Sequence, residues 1–132
     1  MKIILDTNIY ISSFIFKGNA RVVFDYSFLE HKVYISDFIL LEIERTLKEK
    51  FKTDQYQLES ITRLLLTQAV KFKTSGEIPD VCRDKDDNNI LWLARSCKAD
   101  FIVTGDKDLL TLVNFEGTKI VHPSGFIKSI NN

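Results

Sequence analysis

Four short runs of apolar and β-branched residues punctuate the chain: Lys2 to Leu5, Lys32 to Ile35, Phe101 to Thr104 and a weaker one from Lys119 to Val121. Each is bounded by turn or cap residues and is too short for a helix, which predicts buried strands. Between them the apolar positions change to helical spacing. Ala20 to Glu30 carries Val22, Val23, Tyr26 and Leu29, and Phe38 to Phe51 carries Ile39, Leu40, Ile43 and Leu47. Tyr56 to Val70 carries Leu58, Ile61, Leu65 and Ala69, and Asn88 to Lys98 carries Ile90, Leu91, Ala94 and Cys97. These stripes predict amphipathic helices, the second capped by Ser36 or Asp37. Thr74 to Arg83, with Gly76 and Pro79 but no period, predicts an exposed loop. Strands and helices in alternation predict an α/β fold, a parallel sheet of four to five strands with helices on both faces in three layers.

With 132 residues and no internal repeat, low-complexity tract or Pro/Gly-rich linker, the expectation is one domain over residues 1–132. A hydrophobic share of 45% and a charged share of 27% exclude a disordered chain. Lys plus Arg and Asp plus Glu are both 18, so no large positive field holds a nucleic acid, and any such contact comes from a local patch. The apolar start Ile3-Ile4-Leu5 is cut short by Asp6, and nothing reaches a membrane-spanning length, so a cytoplasmic protein is expected. Cys82 and Cys97 have neither CxxC spacing nor a nearby His and are expected to be free thiols. His31 and His122 lie far in sequence from any Ser or Cys that would make a nucleophile and base pair, and read as structural or surface residues. Phosphate-binding glycine motifs are absent.

The chemistry-bearing residues are acids. In an open α/β sheet the binding crevice lies beyond the carboxyl ends of the strands, where strand order reverses. Asp6 directly follows the first strand, and Asp106 follows the third after Gly105. At about 100° per helical residue, Asp87 projects into the apolar stripe of its helix while Asp86 lies to one side. The competing reading of Asp84, Asp86 and Asp87 is simple capping of a helix N-terminus. On the helix after the second strand, Glu42 and Glu44 both flank the stripe, and spacing alone does not choose between them. Several carboxylates in one crevice repel each other unless a cation shares the site, and hard divalent ions prefer such oxygen donors. That pattern suits metal-assisted phosphodiester hydrolysis with Mg²⁺ or Mn²⁺.

These blocks resemble the PIN domain, and in particular the toxin components of toxin-antitoxin systems of the VapC type. Ile4-Leu5-Asp6-Thr7-Asn8 resembles the family's strand and Asp-Thr-Asn, and Ser36 to Leu47 with Leu41-Glu42-Ile43 its Ser-containing helix start and Glu. Arg83 to Leu91 with Ala94 resembles the third acidic block, and Ile102 to Leu110 the fourth. Thr104-Gly105-Asp106-Lys107-Asp108 departs from the Thr-x-Asn-x-x-Asp pattern common in the VapC type and is similar to another PIN subgroup. The resemblance implies that Asp6, Glu42, Asp87 and Asp106 bind metal and catalyse, with Asp108 a fifth ligand acting through water and Asn8 and Thr104 in supporting hydrogen bonds. It also implies a homodimer, and an antitoxin protein as a separate regulating chain.

Arg45, Lys48, Lys50 and Lys52 form a basic run beyond Glu42, and Lys48 and Lys50 are the candidates to hold an RNA backbone, single-stranded or structured. The alternative is a solvated helix face. Against the ribonuclease stands a non-enzymatic PIN-like module that binds RNA or protein, which loss of a central acid would favour. The other rival is a haloacid-dehalogenase-like phosphatase, which would require a second Asp where Asn8 stands.

Overall fold

The structure, a computed structural model, describes residues 1–130. In chain order the elements are β1 (Lys2–Leu5), α1 (Thr7–Ile15), α2 (Gly18–Glu30), β2 (Lys32–Ile35), α3 (Asp37–Phe51), α4 (Gln55–Gln68) and β3 (Val70–Lys71). There follow α5 (Lys85–Cys97), β4 (Phe101–Val103), α6 (Lys107–Leu112), β5 (Asn114–Phe115), β6 (Thr118–Val121) and α7 (Pro123–Ile130). All four strands read from the sequence are present, as are all four helices, and 74–83 is a loop.

The sheet has six strands in the order β3-β2-β1-β4-β6-β5, with every pair parallel except the β5–β6 hairpin. Its two extra members are the two-residue strands β3 and β5, too short to register as a period. The β5–β6 turn, Glu116-Gly117, has positive φ at both residues (48° and 91°), as a two-residue hairpin requires. Side chains on both faces of β1, β2 and β4 are buried: Ile3, Ile4 and Leu5, then Val33, Tyr34 and Ile35, then Ile102 and Val103. Connections step leftward from β1 through β2 to β3, then cross back to β4 and on to β6. Right-handed crossovers therefore put α1 to α4 on one face and α5 and α6 on the other. The order reverses between β1 and β4, whose registered ends are Leu5 and Val103.

Two helical stripes differ from the sequence reading. In α2 the buried face is Val23, Phe24 and Ser27, leaving Val22 and Leu29 exposed. Phe24 stacks against Tyr10, Phe14 and Phe28, so aromatic packing on α1 sets the rotation of α2. Helix α4 ends at Gln68 because Val70 leaves to pair with Tyr34 of β2. Helix α1 gave no stripe because its apolar residues lie all round it, with Thr7, Ile9, Tyr10, Ile11 and Ser13 all buried.

Candidate metal centre

Asp6 stands where β1 ends, and its backbone N–H donates to the Val103 carbonyl at 3.0 Å, so the sheet itself fixes its position. Its Oδ2 accepts a hydrogen bond from the Thr104 hydroxyl at 2.7 Å. The same Thr104 oxygen accepts from the Asp106 N–H at 2.9 Å. Fully buried Thr104 thus ties the acid after β1 to the acid after β4. Asp106 is the N-cap of α6, its Oδ1 accepting from the Asp108 N–H at 2.8 Å and the Leu109 N–H at 3.3 Å.

Asp87 comes from the opposite wall. Asp84 caps α5 by accepting from the Asp86 N–H at 2.8 Å, which starts the helix at Lys85 and puts Asp87 in its first turn, buried. The Asp87 Oδ2 is buried and makes no hydrogen bond to the described residues. A buried oxygen without a partner is costly. Burial, and then the charges of Asp106 and Asp6, push the Asp87 carboxyl up to about 7. Asp6 is also raised by burial, against the Thr104 hydrogen bond that lowers it.

Glu42 closes the crevice from α3. Its Oε1 accepts from the Thr7 hydroxyl, while burial and the neighbouring Asp86 raise it to about 7. Glu44, about 200° further round the helix, is exposed and lines a different groove between α3 and α4. Asp6, Glu42, Asp87 and Asp106 therefore line one crevice of about 350 Å³, together with Thr7, Asn8, Arg45, Thr46, Glu49, Lys50, Asp84 and Asp86.

Two of its acids, Asp87 and Asp106, also meet Asp108 beside the crevice: one carboxylate oxygen from each of the three comes within 4.8 Å of the others, a spacing that can hold one ion. Asp6 and Glu42 line the same crevice but stand outside that triad. All-oxygen donors, mutual repulsion and the orphaned Asp87 oxygen together fit a hard divalent cation. Asp108 is already engaged: both its oxygens accept from Arg83 Nη2, at 3.0 and 3.1 Å.

Asn8 is at the rim, exposed and without a side-chain hydrogen bond to the described residues. Lys50 and Arg45 line the crevice, whereas Lys48 lies on the neighbouring face with Leu41, Glu44, Arg45 and Glu49. Helix geometry gives the reason, since Lys48 is about 120° round from Glu42. From the sequence Asp86 lies aside, Asp84 reads as a helix cap, which it is, and Thr7 and Arg83 carry no assigned role. For Arg83, Asp84 and Asp86 the signal is the dense Arg83-Asp84-Lys85-Asp86-Asp87 run, whose members separate only once the cap is placed; for Thr7 it is only the place next to Asp6.

Cys82 and Cys97 are free thiols. Among the described residues no helix is long and apolar enough to cross a membrane.

A family model described as "PIN domain" matches residues 2–108. An uncharacterized protein of Methanocaldococcus jannaschii is 32% identical over 142 aligned residues, covering 97% of this chain and 90% of that one. Among solved structures, VapBC2 from Rickettsia felis, bound to a DNA fragment from its promoter, superposes with a TM-score of 0.68 at 14% identity, covering 92% of this chain and 98% of that one. FitAcB from Neisseria gonorrhoeae gives 0.60 at 15%, with the same coverages of 92% and 98%. These two likenesses show the fold.

Proposed function

The chain belongs to the PIN domain family, and from that premise we propose that residues 1–132 form a single metal-dependent endoribonuclease unit. The observation that carries the reading is the meeting of Asp6, Glu42, Asp87 and Asp106 from four separate elements in one crevice, with the Asp87 Oδ2 buried and unpartnered.

In this reading Asp87, Asp106 and Asp108 would hold Mg²⁺ or Mn²⁺, with Asp6 beside Asp106 through Thr104 and Glu42 facing them from α3. The ion supplies a polarised phosphoryl oxygen, a water of lowered pKa and charge relief for the leaving oxygen. The protein's own groups set the geometry. Thr104 holds Asp6 and the Asp106 backbone at fixed separation, and Thr7 orients Glu42. Glu42, held by Thr7 in the same crevice, would take the proton of the attacking water. Lys50 and Arg45 at the rim are assigned the phosphate backbone of a single-stranded or structured RNA. Asn8 is assigned a contact to substrate or bound water.

The resemblance to VapC-type toxins, with the fold likeness to VapBC2, supports a toxin of a toxin-antitoxin pair: a homodimer in the cytoplasm whose partner antitoxin masks the crevice. An antitoxin placing a basic side chain among these acids would offset their charge.

The experiment is cleavage of labelled single-stranded RNA with Mg²⁺, Mn²⁺ or EDTA by the native protein and by Asp6→Asn and Asp87→Asn. Metal-dependent cleavage that falls at least about a hundredfold in both variants is the expected result. Cleavage that persists in both sinks the assignment of the site.

A further inference from the structure

Arg83 is the last residue of the 74–83 loop, and that loop is strapped along α5. The Trp92 indole donates to the Ser75 carbonyl at 2.9 Å and the Ser75 N–H donates to Ser96 Oγ at 3.1 Å. Closest to Arg83, buried Asn88 accepts from the Val81 and Cys82 N–H groups at 3.1 and 2.8 Å and donates to the Cys82 carbonyl at 3.0 Å. Arg83 thus has a fixed root and a free head. Its side chain is 89% exposed, and its bond to Asp108 uses Nη2 alone. Among the described residues Nε and Nη1 make no hydrogen bond, so guanidinium donors remain available beside Asp108, and Arg83 is next in the chain to the crevice-lining Asp84. Arg45 and Lys50 stand on the α3 side.

Resting on the nuclease reading above, we propose that Arg83 is an exchangeable substrate anchor. In the free protein it neutralises Asp108; with substrate it transfers to a phosphate oxygen of the nucleic acid, and Asp108 turns to the cation that Asp87 and Asp106 share.

Three considerations support the exchange. An Asp108 oxygen lies within 4.8 Å of oxygens of Asp87 and Asp106, close enough for one ion to bind all three, so Arg83 and a divalent ion compete for the same carboxylate. An exposed ion pair contributes little net stability, so it gives way readily. The planar guanidinium matches a phosphodiester as well as it matches a carboxylate. Arg45 and Lys50 on one wall and Arg83 on the other then hold a single strand across an otherwise anionic crevice.

The test compares native protein, Arg83→Gln and Asp108→Asn. Affinity for a labelled single-stranded RNA is read by fluorescence anisotropy in EDTA and in Mn²⁺, and Mn²⁺ affinity without RNA by electron paramagnetic resonance. Arg83→Gln is expected to weaken RNA binding about tenfold and to flatten the logarithmic salt slope by about 0.7. The same variant binds Mn²⁺ about threefold more tightly, because a competitor is gone. Asp108→Asn in EDTA moves the other way, strengthening RNA binding about threefold by freeing Arg83.

A bridge that only braces the loop makes the two substitutions equivalent, and equal effects on RNA binding overturn the proposal while leaving the nuclease reading intact. Native protein that binds RNA in neither EDTA nor Mn²⁺ overturns both.

Discussion

Asp87 concentrates the electrostatic problem of this molecule in one residue. Its carboxyl is buried, one oxygen lacks a partner, and burial raises it to about 7. Glu42 is raised to about 7 by burial and by Asp86. A carboxyl raised in the folded state favours folding while it can stay protonated, and this contribution is lost as pH rises through the raised value. The metal-free protein should therefore melt at lower temperature at pH 8 than at pH 5, by several degrees in a calorimetric scan. Asp87→Asn should flatten that dependence and raise the pH 8 melting point. Adding Mn²⁺ at pH 8 should restore the native protein by binding the folded state, and should do much less for Asp87→Asn. Native and variant proteins with identical pH profiles would remove the burial argument.

At the scale of elements, caps aim the acids. Ser36 accepts from the Ile39 N–H at 3.3 Å and fixes the phase of α3, so that Ile39, Ile43 and Leu47 face the core and Glu42 the crevice. Ser36→Ala should cost about 1 kcal/mol in chemical denaturation. Asn88 matters more, because its amide satisfies three backbone groups of the loop that carries Arg83. Asn88→Ala leaves those groups unpaired and should cost about 1–3 kcal/mol. Amide exchange at Val81 and Cys82 should accelerate well ahead of exchange in α5. Trp92, the single tryptophan, contacts the same loop through Ser75 and should report its loosening as a shifted emission. Uniform exchange across the loop and α5 would show that Asn88 acts on global stability instead.

For the whole molecule the governing fact is a formal charge of zero around an acidic crevice. No long-range field gathers RNA, so binding rests on a few rim cations and should show a shallow salt slope, about −0.7 for each phosphate contacted. Replacing Lys50 with Ala should weaken RNA binding and reduce that slope. Lys48→Ala should do neither, since Lys48 faces the neighbouring groove. Equal losses from both would mean that the bound strand wraps round α3.

The strand runs, the helical stripes and hence the α/β class follow from local periodicity, because burial on one face or two leaves its period in the sequence. Asp6 and Asp106 were legible for the same reason, each sitting at the end of an apolar run, and Asp87 fell on the stripe of its own helix. Glu42 over Glu44 was open on spacing alone; the family resemblance selected it, and the packing of α3 puts its side chain in the crevice. Strands of two residues and the evenly apolar α1 leave no period to read. Only the tertiary structure decided that Lys48 turns away, that Asp86 sits against Glu42, and that Arg83 reaches Asp108 across 25 residues of chain. These facts depend on the rotation of whole helices about their axes, and packing against distant neighbours sets that rotation.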